Sequence, residues 1–445
     1  MNTPISDFLN KYADEDFARF HMPGHKGRGG LSEAYDITEI NGADSLFEAS
    51  GIILESEENC RRLFNSGKTL YSTQGSTLCI QTMLTLACQN TSDERPLVIA
   101  VRNAHKAFIN ACILLDVEVR WVYPKYHQGS IASGEYSASD IEKAILSSSK
   151  KPSAVFITSP DYLGRIADVK GISDICEKHG VKLLVDNAHG AYLHFLNESI
   201  HPLSLGADMC CDSAHKTLPV LTGGGYLHIS QKTDKNYYEN AKNAMSLFSS
   251  TSPSYLILAS LDLCNKYIFE RLSKDLNRLV PKIELLKKEL SERGFEVFES
   301  EPLKLTLYTI NNGVYGLELA KMLRQDRIEC EYADETHIVF MFSPFNTDEE
   351  IEMLRSALFR VKFKRARLVA PMLECESLTQ RLSIREAGLS ISETIPVSEA
   401  EGRICAKVVV ACPPGIPICV SGEEITKKTV KILKRYSILS INVVK

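Results

Sequence analysis

The sequence has no cysteine pair spaced as C-x-x-C, no lysine- and arginine-rich run dense enough for a nucleic-acid face, and one tryptophan in 445 residues. Its thirteen cysteines are odd in number and scattered, several inside apolar runs (Cys79, Cys88, Cys112, Cys210, Cys211). That excludes a zinc ribbon or a disulfide framework as the organising device and predicts buried, reduced thiols. No stretch reaches the roughly 18 apolar residues of a membrane helix. The opening Met1-Asn-Thr-Pro-Ile-Ser-Asp-Phe8 lacks the basic-then-apolar order of a signal peptide. The expectation is a cytoplasmic protein with neither membrane nor nucleic acid as partner.

What is present is ordinary for a globular chain: 44% hydrophobic, 24% charged, formal net charge -5. The length points to a large domain with smaller companions rather than one core. Between residues 50 and 229 short apolar segments alternate with helical ones. Leu97-Val-Ile-Ala-Val101, Val117-Glu-Val-Arg-Trp-Val-Tyr123, Ser153-Ala-Val-Phe-Ile-Thr158, Val181-Lys-Leu-Leu-Val185, Ala207-Asp-Met-Cys-Cys211 and Gly225-Tyr-Leu-His-Ile229 read as strands. Such runs predict an α/β fold whose mostly parallel sheet is covered by helices on both faces. Ligands of such sheets sit at the carboxyl ends of the strands. One long helix is expected over 254–293, then a second α/β unit with strands Leu303-Lys-Leu-Thr-Leu-Tyr308 and His337-Ile-Val-Phe-Met-Phe342. The basic stretch at 360–367 marks a boundary before a third small unit. The expected divisions are an arm over 1–49, a large domain over 50–265, a small domain over 266–368 and a C-terminal domain over 369–445.

Two of the strand ends carry chemistry. Asp212-Ser-Ala-His-Lys-Thr217 offers Lys216, an amine able to form a Schiff base. About thirty residues earlier, Leu183-Leu-Val-Asp-Asn-Ala-His-Gly190 offers Asp186, a carboxylate able to hold a ring nitrogen protonated. Ser72-Thr-Gln-Gly-Ser-Thr77 adds Gly75, Ser76 and Thr77 ahead of an apolar helix, a phosphate site by donors and dipole, with Ser213 and His215 close in sequence to the lysine. Together they match the needs of pyridoxal 5′-phosphate: an imine-forming lysine, an anionic partner for the pyridine ring and phosphate donors. Each has a bland reading as well. Lys216 could be a surface lysine, Asp186 a helix cap, and Ser76 and Thr77 ordinary caps. The Asp186-x-x-His189-x4-His194 spacing resembles metal ligation only faintly, so no metal is expected.

With those residues in hand, the sequence resembles the short-form Orn/Lys/Arg decarboxylases, fold-type I enzymes dependent on pyridoxal 5′-phosphate. The match is carried by Phe20-His-Met-Pro-Gly-His-Lys-Gly27, Asp36-Ile-Thr-Glu39 with Gly42-Ala-Asp44, Gln74-Gly-Ser-Thr77 and Arg102-Asn-Ala-His-Lys106. Asp186-x-Ala-His-Gly190 with Ser213-Ala-His-Lys-Thr217, and Glu401-Gly-Arg-Ile404 with Pro413-Pro-Gly-Ile-Pro417, complete it. The resemblance implies a seven-stranded sheet and smaller C-terminal α/β domains. It implies a Schiff base at Lys216, Asp186 on the ring nitrogen, His105 stacked over the ring and His189 near it. Phosphate contacts are implied from Ser76, Thr77, Ser213 and His215, and Ser252-Pro-Ser-Tyr255 is similar to an element that reaches toward the cofactor. It also implies a homodimer with active sites at the interface. The receiver-like domain of the large decameric relatives is not expected here.

Two departures bear on substrate. Cys412 stands where the family has Tyr, and Ser421-Gly-Glu423 where it has Pro-Gly-Glu. The expected reaction is α-decarboxylation of lysine, arginine or ornithine, with Glu423 offered as the partner of the substrate's distal cation. An aminotransferase or lyase on the same scaffold is the near rival, for which Arg385 would be the carboxylate-binding arginine. A non-catalytic paralogue is the distant one.

Overall fold

The computed structural model describes the chain except for residues 16, 18, 20–21, 24, 27, 29–32, 90, 128–129, 364–367, 369–375 and 412–414. Cys412, Pro413, Pro414 and part of both the Phe20–Gly27 motif and the basic stretch therefore lie outside the described residues. The chain divides into two compact units: Met1–Gln89 with Lys182–Asn277, and Asn90–Val181 with Arg278–Lys445.

The first nine strands are β1 (Lys68–Ser72), β2 (Leu97–Val101), β3 (Glu118–Val122), β4 (Lys125–His127), β5 (Ser130–Glu135), β6 (Ala154–Thr158), β7 (Lys182–Asp186), β8 (Met209–Asp212) and β9 (Gly225–Ile229). Seven of them form one sheet in the order β1-β9-β8-β7-β6-β2-β3. Strands β2 and β3, β2 and β6, and β7 and β8 pair in parallel. The exception to the parallel expectation is β9, which runs antiparallel to both β1 and β8. Its Gly225-Tyr-Leu-His-Ile sequence is buried throughout and carries no mark of direction. Strand β1 escaped the sequence reading because Lys68-Thr-Leu-Tyr-Ser is half polar, yet four of its five residues are buried. Its Thr69 and Tyr71 are buried through hydrogen bonds, to His228 Nδ1 and from the Tyr71 amide to Glu57. Strands β4 and β5, also missed, make a separate antiparallel ribbon.

The expected helix over 254–293 is two helices, Tyr255–Tyr267 and Ser273–Arg293, joined by a π turn at Ile268–Leu272. A single wide turn leaves no compositional mark, so periodicity alone reads through it. The second unit carries an antiparallel sheet of β10 (Glu296–Phe298), β11 (Lys304–Tyr308), β12 (Tyr332–Ala333) and β13 (His337–Met341), in the order β10-β11-β13-β12. Strands β14 (Ser392–Pro396), β15 (Val409–Ala411), β16 (Ile416–Cys419) and β17 (Ser440–Val444) follow, paired as β14 with β17 and β15 with β16. Ile418, Ile425, Leu433 and Val443 from this last segment share one core cluster with Phe298 and Val339 of the preceding sheet. Nine of the eleven cysteines among the described residues are buried and all eleven are unbridged, as the sequence predicts.

Candidate active site

Strands β7 and β8 place the amine and the carboxylate. Past Lys182 both are apolar and buried, and each ends in a buried aspartate. In their parallel register Asp186 stands beside Cys211. After Asp212 the chain turns through the short helix Ala214–Thr217, whose Lys216 amide donates to Ser213 C=O at 2.9 Å. The half-buried Lys216 then brings its Nζ to 3.0 Å from His189 Nε2.

Asp186 is 3% exposed. It caps no helix: its Oδ1 accepts from the Ala188 amide at 3.2 Å and the Cys211 thiol at 3.7 Å. Those are its hydrogen bonds among the described residues, and they leave Oδ2 for a further donor. Burial pushes this carboxyl up, and the Lys216 cation only partly opposes it. A buried carboxyl so placed fits a cationic N–H such as a pyridinium.

The phosphate side is built from two glycine-rich junctions. Gly75 opens the helix Gly75–Gln89 at φ +62°, a conformation that costs a side chain dearly. Its amide is committed to Gly223 C=O at 2.6 Å. A Cβ on Gly225 would lie 3.1 Å from the Gly75 carbonyl carbon, so both positions need to be bare. Ser76 and Thr77 occupy the helix's first turn, where amides have no intrahelical acceptor. Among the described residues neither hydroxyl has a partner, and the Ser213 hydroxyl caps nothing. His215 Nδ1 faces Gly224 C=O at 2.9 Å, and burial pushes this imidazole down. Unpaired hydroxyls and first-turn amides are the donor set a phosphate takes. Gly75, Ser76, Thr77, Asp186, His189, Ser213, His215 and Lys216 all belong to one compact unit. His105 belongs to the other, as N-cap of the helix Lys106–Leu115.

Sequence reasoning missed the support beneath Lys216. Asp212 is wholly buried and accepts from His201 Nε2 at 3.1 Å, His228 Nε2 at 3.2 Å and Asn187 Nδ2 at 2.6 Å. The Leu203 amide donates to His201 Nδ1, leaving Nε2 as donor. Burial alone would raise the Asp212 carboxyl, but the two imidazoles overcome it and hold it well below the usual range. The network ties the end of β8 to Asn187, the residue after Asp186. Its only trace in the sequence is the polar residue in otherwise apolar strands (Asp212, His228). Thr217 was missed too: its hydroxyl is buried without a partner, one residue beyond Lys216. Asp186, His189 and His194 do not gather as metal ligands; the cluster with that geometry among the described residues is His201, Cys210 and Asp212. His194 instead packs on Phe64 and His201, and burial pushes it down to about 3.

Two other expectations change. Glu423 does not wait for a substrate cation: Arg102 holds it at 2.8 Å, both side chains nearly fully buried. Arg385 donates to the carbonyls of Ile113 and Leu114 at 2.9 and 2.8 Å, capping a helix rather than offering itself to a carboxylate. Tyr255 is buried and bonds Asp44 C=O at 2.7 Å, while Asp44 itself receives the Gly51 and Ile53 amides.

The fold is that of fold-type I pyridoxal 5′-phosphate enzymes. The Francisella novicida lysine decarboxylase superposes with TM-score 0.82 at 18% identity, over 100% of this chain and 81% of that one. A Sphingomonas wittichii serine palmitoyltransferase aligns at TM-score 0.58 and 13% identity, over 80% and 82%. The family model for the major domain of Orn/Lys/Arg decarboxylases matches residues 3–304, and that for their C-terminal domain matches 374–440. The chain belongs to this family, whose members are carboxy-lyases that use pyridoxal 5′-phosphate. The arginine decarboxylase of Bacillus subtilis (strain 168) is 27% identical over 97% of this chain and 93% of its own.

Proposed function

We propose that the protein removes the α-carboxylate of a basic amino acid (lysine, arginine or ornithine) and releases CO₂ with the corresponding diamine or agmatine of polyamine metabolism. The observation carrying this reading is the pairing of an amine and a buried carboxyl on neighbouring strand ends. Lys216 Nζ stands 3.0 Å from His189 Nε2, and Asp186 beside Cys211 closes the adjacent strand. When bound, pyridoxal 5′-phosphate supplies a sink for the electron pair left behind by CO₂. Lys216 Nζ would be the amine that holds the cofactor. Asp186 would keep a proton at the ring nitrogen as its anionic partner, since a carboxylate desolvated by burial gains most from a cationic N–H beside it.

Ser76, Thr77 and Ser213 would hold the phosphate with His215, with Gly75 leaving it room. His189 and Lys216 share a proton that the pair can deliver to Cα. The role of His105, stacking over the ring, rests on the family resemblance. On the same reading we place the chain in the cytoplasm as a homodimer, with domain boundaries after residues 49, 265 and 368. No helix of the described residues is long and apolar enough to cross a membrane.

Relatives named for arginine and for lysine both match, so the test offers all three amino acids, each with and without 2-oxoglutarate. Stoichiometric CO₂ and amine from one of them, without the keto acid, is the expected result. Amino transfer that needs the keto acid and releases no CO₂ would replace the decarboxylase with an aminotransferase. The capping role of Arg385 argues against that rival.

A further inference from the structure

The helix Lys106–Leu115 is held at both ends by residues from the end of the chain. Its first amide, Lys106 N–H, donates to Gly415 C=O at 3.0 Å, although such amides have no partner within a helix. Its last carbonyls, of Ile113 and Leu114, accept from Arg385. Gly388 lies so close to Ile113 that a Cβ would stand 2.7 Å from its Cδ1. His105 caps this helix, and its Nδ1 accepts from the Ala107 amide at 3.2 Å. That bond puts the hydrogen of the neutral ring on Nε2.

Gly415 closes the other edge of the same ring. Its φ is +73°, and a Cβ there would meet His105 Nε2 at 2.8 Å and Cδ2 at 2.9 Å. Both distances are shorter than packed atoms tolerate, so the ring would have to turn. One edge of the imidazole is tied to its own helix and the opposite edge abuts bare backbone.

We propose that Gly415 is a positioning residue for the cofactor, acting through His105: the C-terminal segment fixes the orientation of the ring-covering histidine. The inference rests on the reading that His105 stacks on pyridoxal 5′-phosphate. It also gives the glycine of Pro413-Pro-Gly-Ile-Pro417 a physical reason, since any side chain at position 415 strikes the imidazole.

The test compares Gly415→Ala with Gly402→Ala. Gly402 has nearly the same φ, +78°, but a Cβ there meets nothing within 4 Å. Both variants carry the backbone penalty, and only one touches His105. Purified full-length proteins are titrated with pyridoxal 5′-phosphate, following the dissociation constant and the visible circular dichroism induced in the cofactor. Gly415→Ala should weaken binding by up to about tenfold, the cost of turning a side chain off its rotamer, and change the dichroic band, while Gly402→Ala matches wild type. In a His105→Ala background the Gly415 substitution should have no further effect.

If Gly415→Ala behaves as Gly402→Ala, or if its effect persists in full without the His105 ring, the inference falls. Should Gly415→Ala fail to fold, recovery of folding in the His105→Ala, Gly415→Ala double variant supports the contact, and continued failure overturns it. His105→Ala with unchanged binding and dichroism would instead remove the stacking role on which the inference stands.

Discussion

Arg102 and Glu423, 321 residues apart in sequence, meet at 2.8 Å with side chains only 3% and 1% exposed. The Arg102 guanidinium also lies 4.9 Å from the centre of the Trp121 ring, and the Val420 amide donates to the same Glu423 oxygen at 2.6 Å. Burial disfavours the arginine cation, yet Glu423 more than offsets it and holds Arg102 above its ordinary pKa. Glu423→Gln leaves a buried cation uncompensated and should cost about 3–5 kcal/mol of stability. Urea unfolding checks this. The double variant Arg102→Met, Glu423→Leu should lose clearly less than the two single changes added together. A Glu423→Gln midpoint equal to wild type would mean the pair contributes nothing.

Lys216 should be the residue that retains the cofactor. Reduction of the loaded protein with borohydride, followed by peptide mapping, is expected to recover the pyridoxyl group on Lys216. Lys216→Ala should abolish the trapped label. A label on another lysine would move the site.

Asp186 is predicted to separate stability from catalysis. Its folded pKa is raised, so its contribution is fully present below the unfolded value of about 4 and lost as pH rises through the folded value. Cofactor-free Asp186→Asn should therefore be at least as stable as cofactor-free wild type at pH 7, the gap closing in acid. Turnover by the loaded variant should fall by about 10² or more, because an amide cannot hold the ring nitrogen protonated. Near-normal turnover would return Asp186 to a structural role.

Asp212 has the opposite sign. Its folded pKa is depressed, so its stabilisation is present above about pH 4 and disappears as pH falls through the folded value. Asp212→Asn should lose about 2–4 kcal/mol at pH 7, the worth of its hydrogen bonds from His201, His228 and Asn187. That difference should shrink in acid. Denaturant curves at pH 7 and in acid, side by side, decide it; a difference independent of pH would show that the charge of Asp212 is not what the histidines hold.

The alternation of apolar strands and amphipathic helices was legible because burial on both faces writes itself as Leu97-Val-Ile-Ala-Val101 or Leu183-Leu-Val185. The site residues at the strand ends were legible for the same reason, being polar where the strand stops. Direction was not. The antiparallel course of β9 depends on how the chain returns after Thr217, and Gly225-Tyr-Leu-His-Ile229 would serve a parallel strand equally well.

The sequence by itself determined the strand ends and the chemistry at Lys216 and Asp186, because both follow from local pattern and residue type. Only the tertiary structure decided which charges are already spoken for. Glu423 looked available until Arg102 reached it, Arg385 until it capped a helix, and Asp212 looked incidental until two histidines and an asparagine closed on it. The reason is physical: a buried charge must be compensated, but its partner is chosen by tertiary contacts, between 11 and 25 residues away for Asp212 and 321 away for Glu423, which no local pattern records.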